Sequence, residues 1–73
     1  MLAAFEYAKQ VHLCEGMISA ICQALGRDRE TFVRQFCGWW QREHKKDDFI
    51  SIRIGLEFCK DRVDDGLPLP WEQ

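Results

Sequence analysis

Apolar residues recur along this chain at helical spacing. Set at roughly 100° per residue, Phe32, Val33, Phe36, Cys37, Trp39 and Trp40 fall on one side of a helix over 28–46. Thr31, Arg34, Gln35, Gly38, Gln41, Arg42, Lys45 and Lys46 fall on the other. Phe32, Phe36, Trp39 and Trp40 are aromatic, and each such side chain buries a large area. The core must therefore be built against this stripe. Asp28 is placed to cap the helix, Glu30 suits its positive end, and Arg42, Lys45 and Lys46 suit its negative end. Gly38 on the polar face marks either a close approach of another element or a tolerated weakness.

Upstream, Tyr7, Val11, Cys14, Ile18, Ile21 and Leu25 recur at alternating spacings of four and three. That heptad-like seam, widened by Cys22, predicts a long first helix over 2–25. Gly26 is placed to end it in a left-handed turn. The opposite side is not cleanly polar, since Leu2, Phe5, Leu13, Met17, Ala20 and Ala24 lie there. Around Gly16, Ala20 and Ala24 the side chains are small enough for another backbone to come close.

The segment after Asp47 fits two templates. Ile50, Ile52, Ile54, Leu56 and Phe58 alternate with Ser51, Arg53, Gly55 and Glu57, which is a strand pattern. As a helix over 48–65, Phe49, Ile52, Leu56, Cys59 and Val63 align, with Asp47 or Asp48 as cap and Gly66 as terminator. A lone strand would have no pairing partner within the chain, so the helix is expected. It leaves Ile50, Ile54 and Phe58 as a second apolar face, either sandwiched in the fold or meeting another molecule. Residues 66–73 form a tail in which Pro68 and Pro70 favour an extended path. Leu67, Leu69 and Trp71 can pack back across the helices, or Trp71 can be presented to a partner.

Length sharpens the question of how the fold is held. At 73 residues a domain buries only about 60% of the surface its unfolded chain exposes, and often gains support from a disulfide, a metal or a second copy. The four cysteines, Cys14, Cys22, Cys37 and Cys59, form no CxxC pair. All lie on or beside apolar helix faces, as small hydrophobes would. A structural zinc site needs close-spaced ligand pairs, so no metal or other cofactor is expected. No apolar run reaches the roughly 18 residues of a membrane span. No basic segment followed by a continuous apolar stretch opens the chain, so a cytoplasmic protein is expected.

The net charge of −2 hides an uneven distribution: −1 over 1–26, +3 over 27–46 and −4 over 47–73. The basic middle and acidic end can neutralise each other within the fold. A helix-turn-helix reader of DNA using Arg34, Arg42, Lys45 and Lys46 is the alternative. Against it stand the length of the first helix and the acidic balance, because phosphate neutralisation dominates such affinities.

Catalytic constellations are not evident. Cys37 and His44 would lie about 10 Å apart along one helix, too far for a nucleophile and its base. Asp47/Asp48 and Asp64/Asp65 fall at helix ends, where capping and solvation explain them. There is no glycine-rich phosphate loop, P-loop or HExxH. The expectation is an all-α, three-helix protein that is not an enzyme and works through a protein partner, as a regulator, adaptor or inhibitor. A phage or mobile element is a source that suits its size. Its contact surface would be Ile50, Ile54 and Phe58, with Trp71 and Trp39 as anchors. Self-association as a two-fold homodimer through the first or third helix is expected as well. A DNA-binding regulator and a small assembly subunit of an enzyme complex are the other two readings.

Overall fold

A computed structural model describes residues 14–43 and 48–72. Within them the chain forms α1 (Glu15–Leu25), α2 (Arg29–Arg42) and α3 (Phe49–Asp64), followed by a 3-10 turn at Pro70–Glu72. This is the expected all-α, three-helix arrangement, with no strand among the described residues. The first helix was expected over 2–25; its residues 2–13, with Tyr7 and Val11, lie outside the described residues, as do His44, Lys45, Lys46 and Asp47.

Local sequence explains each boundary. Asp28 and Asp48 begin α2 and α3 in the same way. Each accepts the backbone N–H three residues on, from Thr31 at 3.0 Å and from Ser51 at 2.9 Å. The Thr31 and Ser51 hydroxyls donate back to the same carboxylates, so two helix starts are closed by one device. The C-terminal ends of α1 and α3 also match. Gly26 (φ 64°) and Gly66 (φ 73°) adopt the left-handed conformation. Arg27 N–H bonds Cys22 O and Leu67 N–H bonds Arg62 O, the six-to-one bond that satisfies a terminal carbonyl. The second helix stops at Arg42, short of the expected 46, with Glu43 capping it. Trp40 is its last buried residue, so its final two residues add nothing to the core that holds the helix in place.

The core joins Cys14, Ile18, Ile21 and Cys22 of α1 to Phe32, Val33, Phe36, Cys37 and Trp40 of α2. Ile52, Leu56 and Cys59 of α3 and Leu69 of the tail complete it. The helical reading of 49–64 wins because a helix satisfies its own backbone while placing Ile52, Leu56 and Cys59 at 0% exposure. Backbone contact is most extensive between α1 and α3, whereas α2 reaches α3 through its rings.

The tail departs from the extended path. Pro70 opens a turn in which Glu72 N–H donates to Leu69 O at 2.8 Å. Leu69 is 1% exposed and seals the core, while Leu67 stays outside. Arg62 donates to Pro68 O, and Arg27 pairs with Glu72 at 2.7 Å. These bonds hold both ends of the returning segment.

Glycine spacing was read for Gly38, yet the close approach occurs at Gly55. A Cβ at position 55 would sit 2.6 Å from Trp40 Cζ3 and 2.8 Å from Cη2, inside contact distance for a buried ring. At Gly38 the nearest atom is Arg42 Nη1 at 3.3 Å, the tip of an exposed arm that can move. The same substitution should therefore have opposite signs at the two sites. Gly55→Ala is expected to destabilise by about 1–3 kcal/mol through overpacking. Gly38→Ala is expected to stabilise by about 0.5–1 kcal/mol through helix propensity. Urea denaturation of both variants checks the pair.

Candidate protein-binding face

One helix carries the candidate surface. Ile50, Ile54 and Phe58 are spaced by four on α3, so they share a face, and that face is turned from the core. Their exposures are 69%, 58% and 48%. Ile52, Leu56 and Cys59 on the opposite side are closed off completely. α3 thus has two apolar sides, one used within the chain.

The C-terminal end of this face is bound into an aromatic cluster. Trp39 stacks on Phe58 with ring centres 6.5 Å apart and an interplanar angle of 15°. Trp39 also meets Trp71 at 5.6 Å, Trp40 at 5.3 Å and Phe36 at 5.8 Å. Trp71 continues to Phe32 at 5.9 Å and Phe36 at 6.4 Å. These distances fall in the range where aromatic pairs contribute beyond simple burial. Arg62 lies 5.8 Å above the Phe58 ring, within cation–π reach. Of the five residues expected at a partner contact, the structure brings Phe58, Trp39 and Trp71 together. Ile54 and Ile50 lie one and two turns toward the start of α3. Trp39 and Trp71 are half-buried rather than projecting.

Of the four basic residues of the nucleic-acid alternative, Lys45 and Lys46 lie outside the described residues. Arg34 and Arg42 are exposed on α2. Arg29, however, pairs with Glu15 of α1, and Arg27 is divided between Glu72 and Gln35. These cross-element pairs were invisible in the linear pattern. They tie the α1–α2 turn to its surroundings with charge that a nucleic acid would otherwise meet.

Reactive chemistry is muted. All four thiols are buried and unbridged. Burial pushes the Cys59 thiol up to about 12 and Cys37 to about 11. It raises Cys14 and Cys22 as well, against the nearby guanidiniums of Arg53 and Arg27 respectively. A thiol held protonated is a poor nucleophile and a poor metal ligand. Among the described residues no three His, Cys, Asp or Glu side chains gather closely enough to hold a metal ion. A depression of about 310 Å³ is lined by Ser19, Cys22, Gln23, Gly26, Arg27 and Arg29. A second, of about 200 Å³, lies between Cys14, Met17, Phe49 and Arg53. Neither pairs a base with an activated nucleophile. No helix among the described residues is long and apolar enough to cross a membrane.

The fold and face together define a small helical bundle with an outward apolar helix side. Compared with protein-family models, curated proteins and solved structures, the chain matches none.

Two measurements follow from the buried groups. Raised thiol pKa values mean that the unfolded chain loses these protons first as pH rises. Stability is therefore full below the ordinary thiol range and falls through pH 9–12. The expected slope is roughly 1.4 kcal/mol per pH unit for each of Cys37 and Cys59. Urea midpoints from pH 8 to 11 should show the fall, and Cys59→Ala should flatten it. The indole N–H of Trp71 is buried without an acceptor. Trp71→Phe, which removes that donor and keeps a ring, should stay within about 1 kcal/mol of the parent. Trp71→Ala should cost about 2–3 kcal/mol, below the value for a fully buried ring. Thermal unfolding of the two variants separates these contributions.

Proposed function

We propose that this is a non-enzymatic binding protein that acts by protein–protein contact through the outer side of α3, as a regulator, adaptor or inhibitor. The supporting observation is the row Ile50, Ile54, Phe58, more than two-fifths exposed at every position on a helix whose other side already closes the core. Contiguous apolar surface of this kind on a small protein marks a contact site. Trp39 and Trp71 flank its C-terminal end and hold Phe58 in place, directly or through one another. An aromatic anchor fixed before contact loses less freedom on binding.

The nucleic-acid reading keeps only Arg34 and Arg42 among the described residues, with Arg27 and Arg29 engaged by carboxylates. A role as an assembly subunit would use the same α3 side and differs only in the identity of the larger protein.

A photo-crosslinking amino acid placed at Phe58 in the producing cell tests the reading directly. A discrete adduct to a polypeptide is expected, reduced at least tenfold by Ile54→Glu, since about 1.4 kcal/mol of lost contact suffices for that factor. Ile54 is 58% exposed, so the variant should keep its circular dichroism spectrum and melting temperature. A folded protein that yields no discrete adduct overturns the proposal.

A further inference from the structure

Residues 67–72 return across the bundle, and their hold on it differs from that of the helices on one another. One side chain, Leu69, enters the core at 1% exposure, and Trp71 lies half-buried on Phe32, Phe36 and Trp39. The ties at the two ends, Arg62 to Pro68 O and Arg27 to Glu72, reach the segment through long side chains partly open to water. Such contacts add little. Leu67 and Pro68 are exposed, and the bond from Glu72 N–H to Leu69 O lies within the segment itself. Docking also forfeits a hydrogen bond. The Trp71 indole N–H is shut away from water with no acceptor among the described residues, a loss that lifting the segment restores.

The seat beneath is held together without the segment. Phe36 stacks on Trp40 at 5.6 Å and lies 6.3 Å from Phe32. Trp39 rests against Trp40 and Phe58, and Arg27 donates to Gln35 at 3.0 Å. Each of these groups therefore has a second partner on the helices. Gly66 supplies the pivot. Its φ of 73° is open to glycine and strained for most other residues. Among the described residues, no atom lies within 4 Å of the place its Cβ would take.

We propose that residues 67–72 are a hinged strap, which swings out about Gly66 as one unit while α1, α2 and α3 stay folded. Opening withdraws Leu69 from the core and uncovers the rings of Phe32, Phe36 and Trp39. The apolar side at Phe58 is thereby extended onto α2. One buried leucine and one half-buried ring are set against the ordering of six residues, so the open state is expected in about one molecule in a hundred.

Native-state amide exchange of the parent chain in increasing urea tests this. The Glu72 N–H should be protected on the order of 100-fold, and low urea should barely change that, because opening the strap exposes little surface. Amides within α2, at Phe36 and Cys37, should be protected at least about tenfold more and should lose protection steeply with urea. Removing the anchors should then reach a floor. Leu69→Ala and Trp71→Ala should each raise the unfolding constant by up to about 100-fold. The doubly substituted chain should match the larger single effect within a factor of about three, since a strap already open has nothing more to lose. Circular dichroism should keep its helical signal in all three variants.

Glu72 exchange that matches α2 in rate and urea dependence overturns the proposal, because the segment then opens only with the whole fold. A Glu72 amide exchanging as freely as an unstructured peptide overturns the closed state. Losses that add in the double variant, or a Leu69→Ala chain that unfolds, overturn it as well, since the helices would then need the segment to stay folded.

Discussion

The flat side of the Trp40 indole rests where a side chain at position 55 would have to be, with a built Cβ only 2.6 Å from the ring. Much of the arrangement depends on that contact. With no side chain at Gly55, α3 can lie against the ring, and this fixes how α3 is rotated about its own axis. Ile52, Leu56 and Cys59 are thereby turned inward to 0% exposure, and Ile50, Ile54 and Phe58 outward. A rotation of one residue would exchange apolar side chains between core and solvent. The ring is itself held, stacked on Phe36 at 5.6 Å and 17° and touching Trp39 at 5.3 Å. Packing around the α2 aromatics and the position of the outer α3 surface are therefore one problem.

Tail closure belongs to the same cluster. Leu69 fills the core at 1% exposure, and Trp71 lies against Phe32, Phe36 and Trp39. Chain reversal after α3 is set by Gly66 in the left-handed conformation, and the final turn begins at Pro70, where a fixed φ suits the first position. Arg62 serves two elements, donating to Pro68 O and lying over Phe58. The segment that shields the aromatic rings is thus linked to the helix that carries the exposed row.

Local signals were readable in the sequence where physics is local. Asp28 and Asp48 cap, Gly26 and Gly66 terminate, and the stripe of α2 is buried as its spacing requires, with Trp39 at its margin. The long-range features were not readable. Gly55 falls within an alternating polar set in the linear sequence, although at helical spacing it lies between the inward Ile52 and Cys59. Only the position of Trp40 in space gives it meaning. Arg29 with Glu15 and Arg27 with Glu72 pair residues far apart in sequence, so charge counted by segment could not show where these two cations are engaged. The end of α2 at Arg42 was missed for a similar reason, since helix-favouring polar residues continue past the last buried ring.

The two templates that fitted residues 50–58 have a common origin. A helix with one apolar side cannot alternate apolar and polar residues over nine positions, because successive residues turn by about 100°. A helix with two apolar sides can. Ile52 and Leu56 form the inner side, Ile50, Ile54 and Phe58 the outer, and their interleaving produces the strand-like pattern. The ambiguity is thus the linear trace of a two-sided helix. Ile50 and Ile54 are β-branched and disfavour the helical state slightly, they add nothing to the closed core, and they expose apolar area to water. Three local effects oppose them at those positions, and the closed core formed by the described residues does not require them there.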